Sequence, residues 1–426
     1  MLHVYGDNIL ECWRLVQYAN TQETEPTVPA NNDILKPTIS VGGREIKLMP
    51  SPDLIPINIK ENFYKHRDSL RENPDAVISD ETNILATFEF CSALPAGNNA
   101  WQRHGRALSI CINGISHFHI AKVGGYELDK DRNKKATRLP NPLLLISYLA
   151  MGRGIEPGGS YFVPIVVEDT SDELGHLIGH CDCKHELSQI VQSLIGKGEI
   201  PGDSLERIIE ANIRLIESIS KPKGDKKTLS KDEWVNIAKK LAEGKKDPLK
   251  EIADVRRIEW KKSAPSNTSS TGMKLQRYME INFQAIGDAK IPICLARKEQ
   301  IKGFQEFLEE LYADSIKQRG FNLQTSVPGD LLITCDSGFK PRGDDSRPAR
   351  GLTPFAKSLV GENSEVKILV FLYGPCKEYQ WRKIKDGHME NLAQSNGLWE
   401  SIYKLADFLI LDSESHAHPL TVEVQK

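Results

Sequence analysis

The sequence predicts an α/β protein with two cores, and three observations carry that prediction. Short apolar runs of strand length, among them "DAVIS", "ILATFEF", "HFHIAKV" and "SYFVPIVV", are interleaved with segments whose apolar residues fall at helical spacing. A polar run without core-forming residues, "SAPSNTSSTG" at Ser263 to Gly272, separates a front part from a back part. The back part alternates helix-like and strand-like segments, which implies a partly parallel sheet. With 426 residues, the chain is long enough for a hydrophobic core on each side of that run.

In chain order, "DNILECWRLVQYA" places Ile9, Trp13 and Val16 at helical spacing behind Asp7 as N-cap. "TISVGGREIKLMP" reads as a hairpin turning at Gly42 and Gly43. "DAVIS" and "ILATFEF" are strands joined by the polar turn "DETN". A helix is expected from Asn98 to Leu108, followed by "SICIN", "HFHIAKV" and "SYFVPIVV" as strands. From Lys184 to Lys262 the pattern turns helical, with "SKDE" at Ser230 to Glu233 as a capping box. The back part runs through a long helix (Glu299 to Gln318), a strand ("DLLITCD"), a helix near Pro354 to Leu359, a strand ("VKILVFLYG"), one helix ("NLAQSNGLWESIYKLA") and a strand ("DFLILD"). The resulting division is 1–190, a basic helical segment 191–262, a linker 263–272 and an α/β C-terminal domain 273–426.

A formal net charge of −3 gives no global field for polyanions, so any nucleic-acid contact must come from local basic patches. Eight irregularly spaced cysteines read as reduced thiols and not as a disulfide framework. The opening "MLHVYGDNILECW" lacks the basic and apolar regions of a secretory signal, and the longest apolar stretch, in "NPLLLISYLAMG", is too short to span a bilayer. A cytoplasmic protein without membrane contact is the expectation.

The chemistry is concentrated between Pro74 and Leu108. Hydrolysis of a phosphodiester needs a divalent cation, and hard cations take carboxylate oxygens. Asp75 begins one predicted strand and Glu89 lies near the end of the next, so the two can share one ion if their side chains emerge together. The following "NNAWQRHGR" offers Asn98 or Asn99 as a helix cap whose free N–H groups suit a phosphate, with Trp101 expected in the core. Arg103 and Arg106, three apart, share a helical face.

"PD" at Pro74 and Asp75, with Glu89 of "EFC" fourteen positions later, resembles the PD-(D/E)xK superfamily of restriction-endonuclease-like nucleases. The helix carrying Glu11 looks like the first helix of that fold, and "NAWQRHGRA" like the helix after its ExK strand. The resemblance covers roughly Tyr5 to Val123. It implies a restriction-endonuclease-like mixed-sheet core and a Mg²⁺ (or Mn²⁺) ion held by Asp75 and Glu89. It further implies the carbonyl of Phe90 as a third ligand, Glu11 as an auxiliary acid, and Gln102 and Arg103 positioning water or phosphate. The implied activity is DNA cleavage in restriction or anti-phage defence, on double-stranded DNA, by a homodimer or a multi-subunit defence complex. Cys91 stands where the family pattern has lysine, and a thiol cannot supply an ammonium's charge, so Gln102 or Arg103 would stand in. The alternative is a catalytically degenerate nuclease fold that binds nucleic acid or a protein partner.

Other clusters compete for attention. "HLIGHCDCKH" offers His176, His180, Cys181, Cys183 and His185 for a structural Zn²⁺, or is an ordinary polar loop entering a helix. "KDRNKKATRLPNP" supplies Lys134, Lys135 and Arg138 as phosphate contacts, to which Arg106 is added. In the back part, "DSGFKPRGDDSRPARG" supplies Lys340, Arg342, Arg347 and Arg350 as a phosphate-gripping loop within a substrate-recognition domain. The rival reading of that region is a second metal site built from Asp336, Glu365 and Lys367. "MGRGIEPGG" lacks the GKS/T ending of a phosphate loop and is not read as an ATP site.

Overall fold

The computed structural model describes residues 1–19, 38–91, 103–125, 127–128, 131, 133–135, 139–154, 158–167, 176–224, 229–244, 247–253, 270–286, 293–336, 348–361, 365–373, 376–413, 416 and 419–424. Two compact units form: the first from Met1–Gly97, Arg106–Ser220 and Trp234–Lys246, the second from Asn98–Gly105, Lys221–Glu233 and Asp247–Lys426. Residues 191–220, read from sequence as part of a separate helical segment, therefore group with the first unit, and 247–253 with the second.

The first unit is built on a seven-stranded mixed sheet of order β2-β3-β1-β4-β5-β6-β9. Its strands are β1 (Leu2–Gly6), β2 (Thr38–Val41), β3 (Arg44–Met49), β4 (Ala76–Ser79), β5 (Ile84–Cys91), β6 (His117–Val123) and β9 (Ser160–Val166); β7 (Glu127–Leu128) and β8 (Lys134–Lys135) pair separately. The β2–β3 hairpin turns at Gly42 and Gly43, whose φ angles of 57° and 79° are those of the tight turn that matches strand twist. β4 runs antiparallel to both β1 and β5, whereas β5, β6 and β9 are parallel. All four residues of β4 are buried, as expected of an interior strand covered on both faces.

Each face of this sheet has its own cover. Val4, Ile46, Phe88, Phe118 and Val163 form one core with three helices: α1 (Ile9–Gln17) through Trp13 and Leu15, α4 (Lys184–Lys197) through Leu187 and Ile190, and α5 (Gly202–Ile219) through Ile208. On the opposite face, Tyr5, Met49 and Val77 pack with Ile59, Phe63, Ile115 and with Ile110 of α2 (His104–Ile112). A further helix, α3 (Pro142–Gly154), leads into β9.

The structure departs from the sequence reading at three places. Asn8, not Asp7, caps α1, its side chain accepting the Glu11 N–H at 3.1 Å. "SICIN" is the last turn and exit of α2 and not a strand, because its buried residues fall at helical spacing with Ala107 and Leu108. Leu2–Gly6, not anticipated as a strand, pairs with β3 and β4 and so places a strand ahead of α1.

The second unit carries a six-stranded sheet of order β10-β11-β12-β13-β14-β15. These are β10 (Gln284–Ala285), β11 (Ile293–Ala296), β12 (Leu331–Asp336), β13 (Lys367–Tyr373), β14 (Phe408–Asp412) and β15 (Leu420–Glu423). β12, β13 and β14 are parallel, flanked by antiparallel neighbours on both sides. Its helices include α6 (Ile301–Arg319), α7 (Pro348–Val360) and α8 (Gly397–Leu405). The single helix expected over "NLAQSNGLWESIYKLA" is two, Met389–Ala393 and α8, because Asn396 accepts the N–H groups of Leu398 and Trp399 and starts a new helix. The capping box at Ser230 forms: the Glu233 N–H reaches the Ser230 hydroxyl, and the Glu233 carboxylate accepts the Ser230 N–H at 2.6 Å. Among the described residues no helix is long and apolar enough to cross a membrane.

Candidate active site

Asp75 directly precedes β4, and Glu89 lies two residues from the end of β5. The antiparallel register sets Ala76 opposite Phe88, so the chain brings Asp75 alongside Glu89 and Phe90. The contact is direct: the Phe90 N–H donates to Asp75 Oδ2 at 2.8 Å. Glu89 has no solvent exposure, and Asp75 keeps 16% of its side-chain area in solvent.

Both carboxylates meet one cation, the guanidinium of Arg106 near the start of α2. Its Nη1 donates to Asp75 Oδ1 at 3.1 Å and reaches both Glu89 oxygens at 2.7 Å. Its Nε lies 3.8 Å from Glu72 Oε2. Arg106 precedes Ile110 by one helical turn, so the packing that seats Ile110 on the sheet brings Arg106 to the ends of the interior strands β4 and β5, where Asp75 and Glu89 lie. Burial acts to lower the Arg106 pKa, but Glu89, Asp75 and Glu72 outweigh it and raise it, so the group stays charged.

Two more acids couple to Asp75. The Asp7 N–H donates to the Asp75 carbonyl at 3.2 Å, because β1 ends beside the start of β4. Burial first, then the Asp75 charge, raises the Asp7 pKa. Glu11, in the first turn of α1, is raised by burial, then by Asp75 and Asp7, and its buried Oε2 has no hydrogen-bond partner. Near these acids, Cys91 is buried at 2% exposure.

His117 and His119 lie on β6, with Glu89 paired to His119 in register. His117 Nδ1 sits 2.9 Å from the Thr87 hydroxyl, while its buried Nε2 has no partner. Burial first, then the nearby Arg106 charge, pushes the His117 pKa down to about 3, so the ring is neutral. His119 Nδ1 meets the Tyr148 hydroxyl at 2.6 Å.

Of the predicted site residues, the structure thus brings together Asp75 and Glu89, with Glu11 coupled to Asp75. Arg106, expected at a phosphate, engages three carboxylates instead. Gln102, Asn98, Asn99 and Trp101 lie outside the described residues, and Arg103 falls in the segment that groups with the second unit. Lys134 and Lys135 form β8, opposite β7. Arg138, Lys340, Arg342 and Arg347 lie outside the described residues, and Arg350 is in α7. The sequence reading missed Asp7 as a site acid because the spacing after it suggested a helix cap, and it missed Glu72, which no motif marks.

The rival metal site does not assemble. Asp336 closes β12 while Lys367 opens β13, and the parallel register pairs Lys367 with Leu331, five residues from Asp336, or about 17 Å along the strand. Lys367 instead bonds Asp407 at 3.4 Å. In the zinc candidate, His176, His180 and His185 are exposed. Cys181 and Cys183 are buried, the Cys181 thiol pushed up to about 11 by burial. Among the described residues, no group of three or more His, Cys, Asp or Glu side chains converges as a ready metal-ligand set.

Comparisons of the chain with protein-family models, with curated proteins and with solved structures find no match. The donors at this site are of the kind a hard cation takes. All are carboxylate oxygens, two acids already share one cationic nitrogen, and a third presents a buried oxygen without a partner. Asp75 and Glu89 are the residues that would hold a Mg²⁺ or Mn²⁺ ion, and Glu11 interacts electrostatically with Asp75.

Proposed function

We propose that the chain is a Mg²⁺- or Mn²⁺-dependent endonuclease of the PD-(D/E)xK type, hydrolysing phosphodiester bonds of double-stranded DNA in restriction or anti-phage defence in the cytoplasm. The observation that carries this reading is the convergence of Asp75 and Glu89 on a single cation. In this reading the first unit is a restriction-endonuclease-like core: the antiparallel β4–β5 pair presents the acids, α2 follows, and β6 returns parallel to β5. When bound, the ion supplies Lewis-acid polarisation of the phosphate and a hydroxide nucleophile near neutral pH. The Phe90 N–H fixes the Asp75 rotamer, and Asn8 fixes the first turn of α1 so that Glu11 can act as auxiliary acid. The basic residues around Lys134, Lys135, Arg138, Lys340, Arg342, Arg347 and Arg350 would grip the phosphate backbone, with a second copy or partner subunits completing the complex.

Plasmid and linear duplex DNA incubated with Mg²⁺ or Mn²⁺ should be cut by the wild type and left intact by Asp75→Asn and Glu89→Gln. Cutting by both variants at the wild-type rate would remove this proposal. One pair of facts favours a second reading: Arg106 takes both Glu89 oxygens, and Cys91 replaces the family lysine. In a degenerate nuclease, duplex binding survives Asp75→Asn, and no divalent ion yields cleavage.

A further inference from the structure

We propose that Arg106 is a resident counter-ion that competes with the divalent ion for Asp75 and Glu89, and that Glu72 holds the displaced guanidinium beside the site. The inference rests on the metal-dependent reading above and adds a regulatory step to it. A carboxylate with no solvent exposure needs cationic or donor partners at all times, and Arg106 is a cationic partner of Glu89, reaching both its oxygens at 2.7 Å. An ion within coordination distance of Asp75 and Glu89 would occupy the position that Nη1 now fills against both Glu89 oxygens. One cation therefore leaves as the other arrives, and the site exchanges charges without leaving a buried carboxylate bare.

The exchange needs a place for the guanidinium to go. Glu72 supplies it: its side chain is 3% exposed, and its Oε2 already sits 3.8 Å from Arg106 Nε, a different nitrogen from the Nη1 that meets Asp75 and Glu89. Losing the Nη1 contacts while keeping Nε near Glu72 needs only side-chain rotation. The displaced fork would then stand beside the bound ion and provide the positive charge that Cys91, in the family's lysine position, does not. Arg106 thereby protects the metal-free acids and serves the metal-bound ones.

The two residues should move metal affinity in opposite directions. Isothermal titration of the full chain with Mn²⁺ should give an Arg106→Gln Kd at least tenfold tighter than wild type, because the competitor is gone. Glu72→Gln should bind several-fold more weakly, because the displaced arginine has lost its anchor. In the Arg106→Gln/Glu72→Gln double variant the Glu72 effect should vanish. A merely structural role would weaken binding in both single variants, and that result, or an unchanged Kd in Arg106→Gln, overturns the inference. Arg106→Lys keeps the charge without the fork and should show intermediate tightening, and unchanged or weaker binding there counts against the inference even if Arg106→Gln does not fold. Glu89→Gln separates the two levels of argument. Abolished Mn²⁺ binding in Glu89→Gln with an unaltered Arg106→Gln Kd sinks the competition alone, whereas wild-type binding in Glu89→Gln sinks the metal reading itself.

Discussion

A carboxylate such as Glu89, closed to solvent at the end of a buried strand, is tolerable only while its charge is answered, because transfer of an unpaired ion from water costs several kcal/mol. Replacing Arg106 by alanine in the metal-free protein should therefore cost about 3–5 kcal/mol of stability by urea denaturation. Much of that loss should return in Arg106→Ala/Glu89→Gln, where the buried charge that Arg106 answered is gone. His117 makes the second prediction at this scale. Its folded pKa, near 3, lies below the ordinary 6.5, so between those values the unfolded chain binds more protons and stability falls as pH drops. Nothing is lost at pH 7, where both states are neutral, and on the order of 2 kcal/mol is lost by pH 5. Denaturation curves at the two pH values should show that difference in the wild type and its absence in His117→Gln. The proximity of Asp75 and Glu89 was legible in sequence because they lie on two strand-length apolar runs joined by a short polar turn. The partner of Arg106 was not, since helical spacing tells which residues share a face and not what that face meets.

Elements were read most securely where local chemistry alone decides them. Gly42 and Gly43 announced the β2–β3 turn, and Ser230 with Glu233 announced a capping box, because each satisfies its geometry within a few residues. Reading failed where tertiary burial decides. "SICIN" is apolar enough for a strand, yet Ile110 belongs to a helix pressed onto Val77 and Tyr5. β1 was missed because "LHVYG" is short and its pairing partners lie more than forty residues away, at β3 and β4. The cap of α1 moved by a single residue, and the consequence is testable. Asn8→Ala should lower stability by about 1 kcal/mol, seen as a lower melting midpoint, because the Glu11 N–H loses its acceptor. Asp7→Asn should not reproduce that loss. It removes a charge that burial and Asp75 already disfavour, so the metal-free protein should be as stable as wild type or more so near neutral pH.

At the scale of the whole chain, composition and the "SAPSNTSSTG" run suggested two cores, and two compact units are present, but the chain passes between them more than once. Contacts between segments distant in sequence decide such boundaries, and no local signal reports them. The short helix Pro248–Ala253 shows what a sequence-based cut would remove. Pro248, Leu249, Ile252 and Ala253 are buried in the second unit, and the Ala253 carbonyl accepts from Gln284 Nε2 at 2.9 Å and from Arg297 Nη2 at 3.2 Å. Arg297 also bonds Asp330 at 2.9 Å, so the same carbonyl steadies a residue that ties β11 to the loop before β12. A fragment 273–426 lacks that helix, leaving its apolar seat open to water and the donors of Gln284 and Arg297 without their acceptor. Burial of Leu249 and Ile252 is worth roughly 1.5–3 kcal/mol each, a large fraction of a domain's net stability. Fragment 247–426 should therefore unfold cooperatively at a higher temperature than fragment 273–426 when both are followed by circular dichroism. Equal melting curves would mean that the helix is not integral to this unit, and that the boundary read from the polar run marks it better.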